Sequence, residues 1–202
     1  MNNLYWKLWA EYWTLIARVK GHYADPLRGI TEGVQGTPPP EVPSKVPLVT
    51  VIGDSSANHF AQRAQREAKS TIWNYGINSA TIDYFMPEEM PPLKNVVLMV
   101  GGNNVGLFNE SAATIVRKHL QLHNRIRSLN TIVVGLSPVN GTEGFAPWKN
   151  KVIREVNWAL KLIHGELFVD TFPPAMIPSF TDGVHHTWKY DEQIIRKVAE
   201  IL

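Results

Sequence analysis

The chain has 202 residues, 44% of them hydrophobic and 19% charged, which suffices for one domain with an apolar core and excludes a disordered chain. Its 20 Lys and Arg residues nearly balance 18 Asp and Glu residues, so the formal charge of +2 gives no reason to expect nucleic acid as a partner. The absence of cysteine excludes disulfides, thiolate metal sites and a cysteine nucleophile.

The first 20 residues carry a helical pattern with a narrow polar stripe and a wide aromatic face. Lys7, Glu11, Thr14 and Arg18 recur at helical spacing. The charges of Lys7, Glu11, Arg18 and Lys20 leave no apolar run of membrane-spanning length, and no clear signal peptide is present. So wide an apolar face must be covered, by its own domain, by a partner or other copies of the chain, or by a membrane interface. These alternatives leave the localisation open, with a virion or membrane surface among the possibilities.

A proline-rich segment follows this predicted arm. Residues 37–47 read TPPPEVPSKVP, and prolines at this density favour an extended spacer over a helix. The sequence therefore predicts two parts, an aromatic amphipathic helix with its spacer at 1–47 and a globular domain at 48–202.

Strand-like and helix-like segments alternate in the second part. The apolar strand runs predict a parallel sheet covered by helices on both faces. The predicted strands are 46–53, 71–75, 95–101, 131–136 and 166–170, and the main helices are 57–69, 111–129, 147–164 and 188–202. Reactive groups in such a sheet gather at the carboxyl ends of the strands.

The first strand ends in Gly-Asp-Ser at 53–55, directly before a helix. A serine at such a turn lies near a helix N-terminus, which suits a nucleophile whose reaction creates an oxyanion. The alternative is that Ser55 only caps the helix.

The third strand ends in Gly-Gly-Asn-Asn at 101–104. The glycines allow a sharp turn and close approach to a ligand, and the asparagine side chains can donate hydrogen bonds. The alternative is a plain glycine-rich turn.

The segment before the last helix reads Asp-Gly-Val-His-His at 182–186. An aspartate three residues before a histidine can orient the imidazole and leave Nε2 to accept a proton. Metal binding by Asp182, His185 and His186 is the competing chemistry. Adjacent histidines tend to point apart and no further ligand cluster is visible, so we expect no metal.

Four blocks in this order resemble the SGNH hydrolases, also called the GDSL esterase/lipase family, from about Leu48 to the C-terminus. The blocks are GDS at 53–55, NYG at 74–76, GGNN at 101–104 and DGVH at 182–185. The resemblance implies a three-layer α/β/α, flavodoxin-like fold with a five-stranded parallel sheet in the order 2-1-3-4-5. It also implies a serine-dependent ester hydrolase that needs no cofactor.

The resemblance implies roles for five residues. Ser55 is the nucleophile, His185 is the general base and later the acid, and Asp182 orients His185. The oxyanion hole consists of the backbone N–H groups of Ser55 and Gly76 and the side-chain amide of Asn103.

The chain departs from the family pattern at two positions. Ser56 stands where the family name has Leu, and Asn104 stands where the family usually has Asp. Because the proposed triad and oxyanion donors are retained, we expect an active enzyme and expect Asn104→Asp to be tolerated.

The expected substrate class rests on the segments that connect the predicted elements. Short connecting segments without a long apolar lid favour small acyl groups such as acetyl on a carbohydrate, while polysaccharide, lipid and thioester substrates stay open. The alternative function is a structural or attachment protein of a virion or cell surface that uses an SGNH-type domain with little activity.

The remaining histidines and tryptophans favour structural roles. Predicted helices carry four histidines that are expected at the surface or at packing interfaces: His59, His119, His123 and His164. Trp73 and Trp188 are expected in the core or a pocket wall.

Overall fold

The computed structural model describes residues 49–68, 72–86, 92–139, 146–171 and 188–202. All of them belong to one compact unit, Lys45–Leu202. The predicted helical arm and spacer at 1–47 and the DGVHH segment at 182–186 lie outside the described residues, so the domain boundary near residue 47 stays a prediction.

Five strands form one parallel sheet in the order β2-β1-β3-β4-β5. They are β1 (Val49–Gly53), β2 (Ile72–Gly76), β3 (Leu93–Met99), β4 (Ser128–Val134) and β5 (Phe168–Val169). The predicted strand order and parallel sheet are therefore confirmed. Every residue of β1 is buried, because helices cover both faces of the sheet.

Six helices are described around the sheet. They are α1 (Ser55–Ala68), α2 (Ile82–Phe85), α3 (Gly102–Gly106), α4 (Ala112–Arg125), α5 (Ala146–His164) and α6 (Trp188–Ile201). One core cluster joins apolar side chains of α1 and α6 to alternate residues of β1, β3 and β4. Helices α4 and α5 pack against each other. None of the described helices combines the length and apolar character needed to cross a bilayer.

The end of α4 differs from the sequence prediction. The helix stops at Arg125 rather than near residue 129, and Leu129 lies in β4 with 79% of its surface exposed. Ile126 has an extended backbone, and the N–H of Leu93 donates to the carbonyl of Arg127 at 2.7 Å. Pairing with β3 therefore ends a helical pattern that the sequence alone would continue.

The structure tests the predicted position of one of the two tryptophans, Trp73. Trp73, expected in the core or a pocket wall, is 50% exposed on β2, so a core position is wrong. The side chain of Trp188 lies outside the described part of the structure.

Three histidines meet where α4 packs against α5. His119 and His123 are one turn apart on α4, and the ring centroid of His164 lies 6.1 Å and 4.7 Å from theirs. His119 is fully buried, so it belongs to the packing interface rather than the surface. Within the described residues its ring nitrogens have no hydrogen-bond partner, and no side-chain group there is arranged to hold a metal ion.

This histidine cluster should make the fold sensitive to acid. Burial, with the neighbouring histidines, lowers the pKa of His119 to about 3, and it does the same for His164. An unfolded histidine has a pKa of about 6.5, so below that pH the unfolded state binds the proton first. The free energy of unfolding is therefore highest above about pH 6.5, where the rings are neutral in both states, and it decreases as the pH falls toward about 3. Each ring lowers it by up to about 1.4 kcal/mol per pH unit in that range.

We expect the melting temperature to fall steeply between about pH 6.5 and about pH 4, and His119→Leu to flatten that dependence. Thermal unfolding followed by circular dichroism across the pH range measures both. His59→Gln, on α1, is the matched control. An unchanged pH dependence in His119→Leu would contradict the assignment.

Candidate active site

Ser55 follows a point where β1 passes very close to β3. Gly53 has a φ of 153°, and a Cβ built on it would lie 1.8 Å from the carbonyl oxygen of Met99. Only glycine fits this contact. The next residue, Asp54, is tied to the same carbonyl, since its N–H donates to Met99 O at 3.1 Å. The turn that carries the serine is thereby held against the central strand.

Asp54, rather than Ser55, caps helix α1. Its Oδ1 accepts from the N–H of Ser56 at 3.0 Å, and its backbone carbonyl accepts from the N–H of Asn58 at 3.0 Å. Ser55 is the first residue of the helix and is partly buried. The capping role considered as the alternative for Ser55 falls to its neighbour. The backbone N–H of Ser55 lies in the first turn of the helix.

The GGNN segment forms the short helix α3 rather than a plain turn. Gly101, with a φ of 123°, directly precedes it. The Nδ2 of Asn103 donates to the carbonyl of Ala80 at 2.9 Å. A primary amide has two N–H groups, and this bond uses one of them.

Strand register brings three of the predicted site residues to one edge of the sheet. Gly53 is paired with Gly76 on β2 and with Met99 on β3. Ser55 and Asn103 therefore follow neighbouring parallel strands at the carboxyl edge, and Gly76 ends the strand on the other side of β1.

The N–H of Gly76 already has an acceptor within the protein. It donates to Oδ1 of Asn74 at 2.9 Å, and Nδ2 of Asn74 donates to Oδ1 of Asn58 at 2.8 Å. A Cβ on Gly76 would lie 2.4 Å from the backbone nitrogen of Asn58, so α1 and β2 approach too closely for any other residue. An oxyanion would have to share or replace the bond to Asn74. The sequence did not single out Asn58, whose only signal is its place one turn after Ser55.

Asn104 is built into a polar network that the sequence did not reveal. Its side chain is fully buried, its Oδ1 accepts from the N–H of Ile82 at 3.1 Å, and its Nδ2 donates to Oε1 of Glu110 at 3.0 Å. Lys118 on α4 contacts the same Oε1 at 2.8 Å and Oδ2 of Asp83 at 2.6 Å. These two hydrogen bonds, with Asp83 the larger cause, raise the pKa of Lys118. No motif spacing marks Glu110 or Lys118.

The described residues that flank positions 172–187 in the chain are bonded to one another. Thr171 comes two residues after the end of β5, and the hydroxyl of Tyr190 on α6 donates to its carbonyl oxygen. An ion pair between Asp191 and Arg63 joins α6 to α1. Asp182, His185 and His186 themselves lie outside the described residues.

The sequence matches no protein-family model and no curated protein. Solved structures do resemble it. A candidate platelet activating factor from Streptococcus pneumoniae has a TM-score of 0.61 at 15% identity, covering 98% of this chain and 99% of that one. A member of the lipolytic G-D-S-L family from Veillonella parvula has a TM-score of 0.54 at 15% identity, covering 76% and 97%. A variant of an acetyl-xylooligosaccharide esterase from Geobacillus stearothermophilus has a TM-score of 0.52 at 16% identity, covering 76% and 92%.

With its parallel sheet in the order 2-1-3-4-5 and helices on both faces, the chain has the α/β/α fold of the SGNH, or GDSL, hydrolases.

Proposed function

We propose that the chain is a serine-dependent carboxylic-ester hydrolase. The observation that carries the proposal is the placement of Ser55 at the start of α1, at the same sheet edge as the side-chain amide of Asn103. A nucleophile needs donors placed where the oxyanion develops, and a helix N-terminus beside an asparagine amide supplies such donors. The esterase and G-D-S-L structures that share the fold support the same chemistry.

In the proposed mechanism, Nε2 of His185 takes the proton of Ser55 Oγ as that oxygen attacks the ester carbonyl. Asp182 accepts the Nδ1–H of His185 and stabilises the imidazolium. The N–H of Ser55 and the amide of Asn103 stabilise the oxyanion, joined by Gly76 if its bond to Asn74 opens. The intermediate expels the alcohol, which takes the proton from His185, and water then cleaves the acyl-enzyme with the same base.

The proposed substrate is a short-acyl ester, with acetyl on a carbohydrate as the favoured case. The acetyl-xylooligosaccharide esterase among the similar structures supports this choice. Tyr84 on α2 and Phe108 just after α3 add exposed aromatic surface beside the Asn103 segment, at 50% and 63% exposure. Such rings can contact the apolar faces of sugars.

A chain-length series tests this function. We expect kcat/KM to be highest for p-nitrophenyl acetate and to fall for the butyrate and octanoate esters, with acetylated xylo-oligosaccharide deacetylated as well. A maximum at octanoate would indicate lipid esters instead. A folded protein that hydrolyses none of them would favour the attachment function.

The N-terminal segment is proposed to serve assembly or attachment rather than chemistry. Deleting residues 1–45 should leave a soluble monomer with a near-normal esterase rate, because the described site residues all lie within Lys45–Leu202. The full chain should oligomerise or bind lipid vesicles, since burying each large apolar side chain contributes roughly 1.5–3 kcal/mol. Light scattering after size exclusion and vesicle co-sedimentation compare the two proteins. Unfolding or inactivation of the shortened chain would place the segment within the hydrolase core.

A further inference from the structure

The hydrogen bonds of Asn104 require an amide at this position. Its oxygen faces a donor, the N–H of Ile82, and its nitrogen faces an acceptor, Oε1 of Glu110. An aspartate could keep the first contact. It could not keep the second, because an ionised carboxylate has no proton to donate.

Glu110 is poorly placed to tolerate another negative charge. Its side chain is 17% exposed, and within the described residues its Oε2 is buried without a hydrogen-bond partner. Lys118 is already shared between Glu110 and Asp83. A carboxylate at position 104 would therefore lie about 3.0 Å from the carboxylate of Glu110 and repel it. Lys118 could not neutralise both, because it also contacts Asp83.

Residues 103 and 104 are held against the same short segment. The amide of Asn103 donates to the carbonyl of Ala80, and the amide of Asn104 accepts from the N–H of Ile82. A backbone hydrogen bond also joins the two ends of the 104–110 segment, since the N–H of Glu110 donates to the carbonyl of Asn104 at 3.0 Å. A displacement of Asn104 would thus move the neighbouring amide that the mechanism uses.

We propose that Asn104, Glu110 and Lys118 form a brace that positions the oxyanion-binding amide of Asn103. The inference rests on the proposed function. It revises the expectation that Asn104→Asp is tolerated, because in this chain the amide and the glutamate are complementary partners. Position matters here because a shift of about 1 Å in a catalytic group can cost about 100-fold in rate.

A charge-exchange cycle tests the brace with Asn104→Asp, Glu110→Gln and the double variant. Asn104→Asp should lose roughly 10- to 100-fold in kcat with little change in KM, less than the roughly 10²–10³ expected for losing a donor outright. Glu110→Gln keeps an oxygen for both donors and should change kcat only a few-fold. The double variant should recover a measurable part of that loss, because the net charge is restored and the new glutamine can donate to the new aspartate. Recovery should be incomplete, because the donating Nε2 then replaces the Oε1 that Lys118 contacts.

The pH profile separates positioning from a general loss of stability. Two facing carboxylates share a proton as the pH falls, and the protonated pair regains a donor. The kcat of Asn104→Asp relative to the wild type should therefore rise toward acidic pH, whereas the double variant should show no such rise.

Melting temperatures of the same four proteins complete the test. They should fall in Asn104→Asp and recover in the double variant, and this readout holds even if the wild type hydrolyses no ester and the proposed function fails. Wild-type kcat in folded Asn104→Asp would overturn the positioning role. A double variant no better than Asn104→Asp in either kcat or melting temperature would overturn the pairing itself.

Discussion

Ser55→Ala should abolish ester hydrolysis while leaving the fold intact. Loss of the nucleophile in a triad hydrolase lowers kcat by roughly 10⁶-fold. The helix start should survive, because the side chain of Asp54 makes the capping hydrogen bond. The measurements are p-nitrophenyl acetate hydrolysis and thermal unfolding of the variant beside the wild type.

The adjacent serine provides the matched control. Ser56 contributes its backbone N–H to the bond with Asp54, and that bond does not need the hydroxyl, so Ser56→Ala should keep both activity and stability. A serine-reactive fluorophosphonate should label the wild type and Ser56→Ala but not Ser55→Ala. Labelling that persists in Ser55→Ala would remove Ser55 from the mechanism.

Asn103→Ala should have the second-largest effect, a loss of roughly 10²–10³ in kcat with a much smaller change in KM. The amide is needed most where the oxyanion develops, so its loss raises the transition state more than the bound ester. The variant also loses the bond to the carbonyl of Ala80, which loosens the contact between α3 and the segment after β2. Steady-state kinetics at saturating and limiting ester separate the two constants.

Asn130→Ala is the matched control for this variant. Asn130 lies in the first half of β4, away from the carboxyl edge, and its amide donates to Oδ1 of Asn95 at 3.0 Å. We expect its kcat to stay at the wild-type value. If Asn103→Ala also kept the wild-type kcat, the 101–104 segment would be a turn without a catalytic role.

The parallel sheet was predictable because its strand signals are local, whereas the strand order 2-1-3-4-5 was predicted from the resemblance to the SGNH hydrolases. Every residue of β1 is buried, as is every residue of β3 except Lys94, so these strands read as the apolar runs VTVIG and NVVLM. The GDS, NYG and GGNN blocks follow or end such runs, and parallel strands bring their carboxyl ends to one edge. The same reasoning extended α4 too far, because it could not foresee that Arg127 and Ser128 would pair with β3.

The sequence by itself determined the parallel sheet and the edge at which Ser55 and Asn103 lie, since apolar runs and turn residues act within a few positions of the chain. The strand order was predicted from the resemblance to the SGNH hydrolases. Only the tertiary structure decided the partners of individual polar atoms. In the folded chain the N–H of Gly76 donates to Asn74, the amide of Asn104 donates to Glu110, and His119 is buried between two helices. The physical reason is that a buried polar group must find its donor or acceptor among whichever residues packing brings near, and no spacing in the sequence encodes that choice.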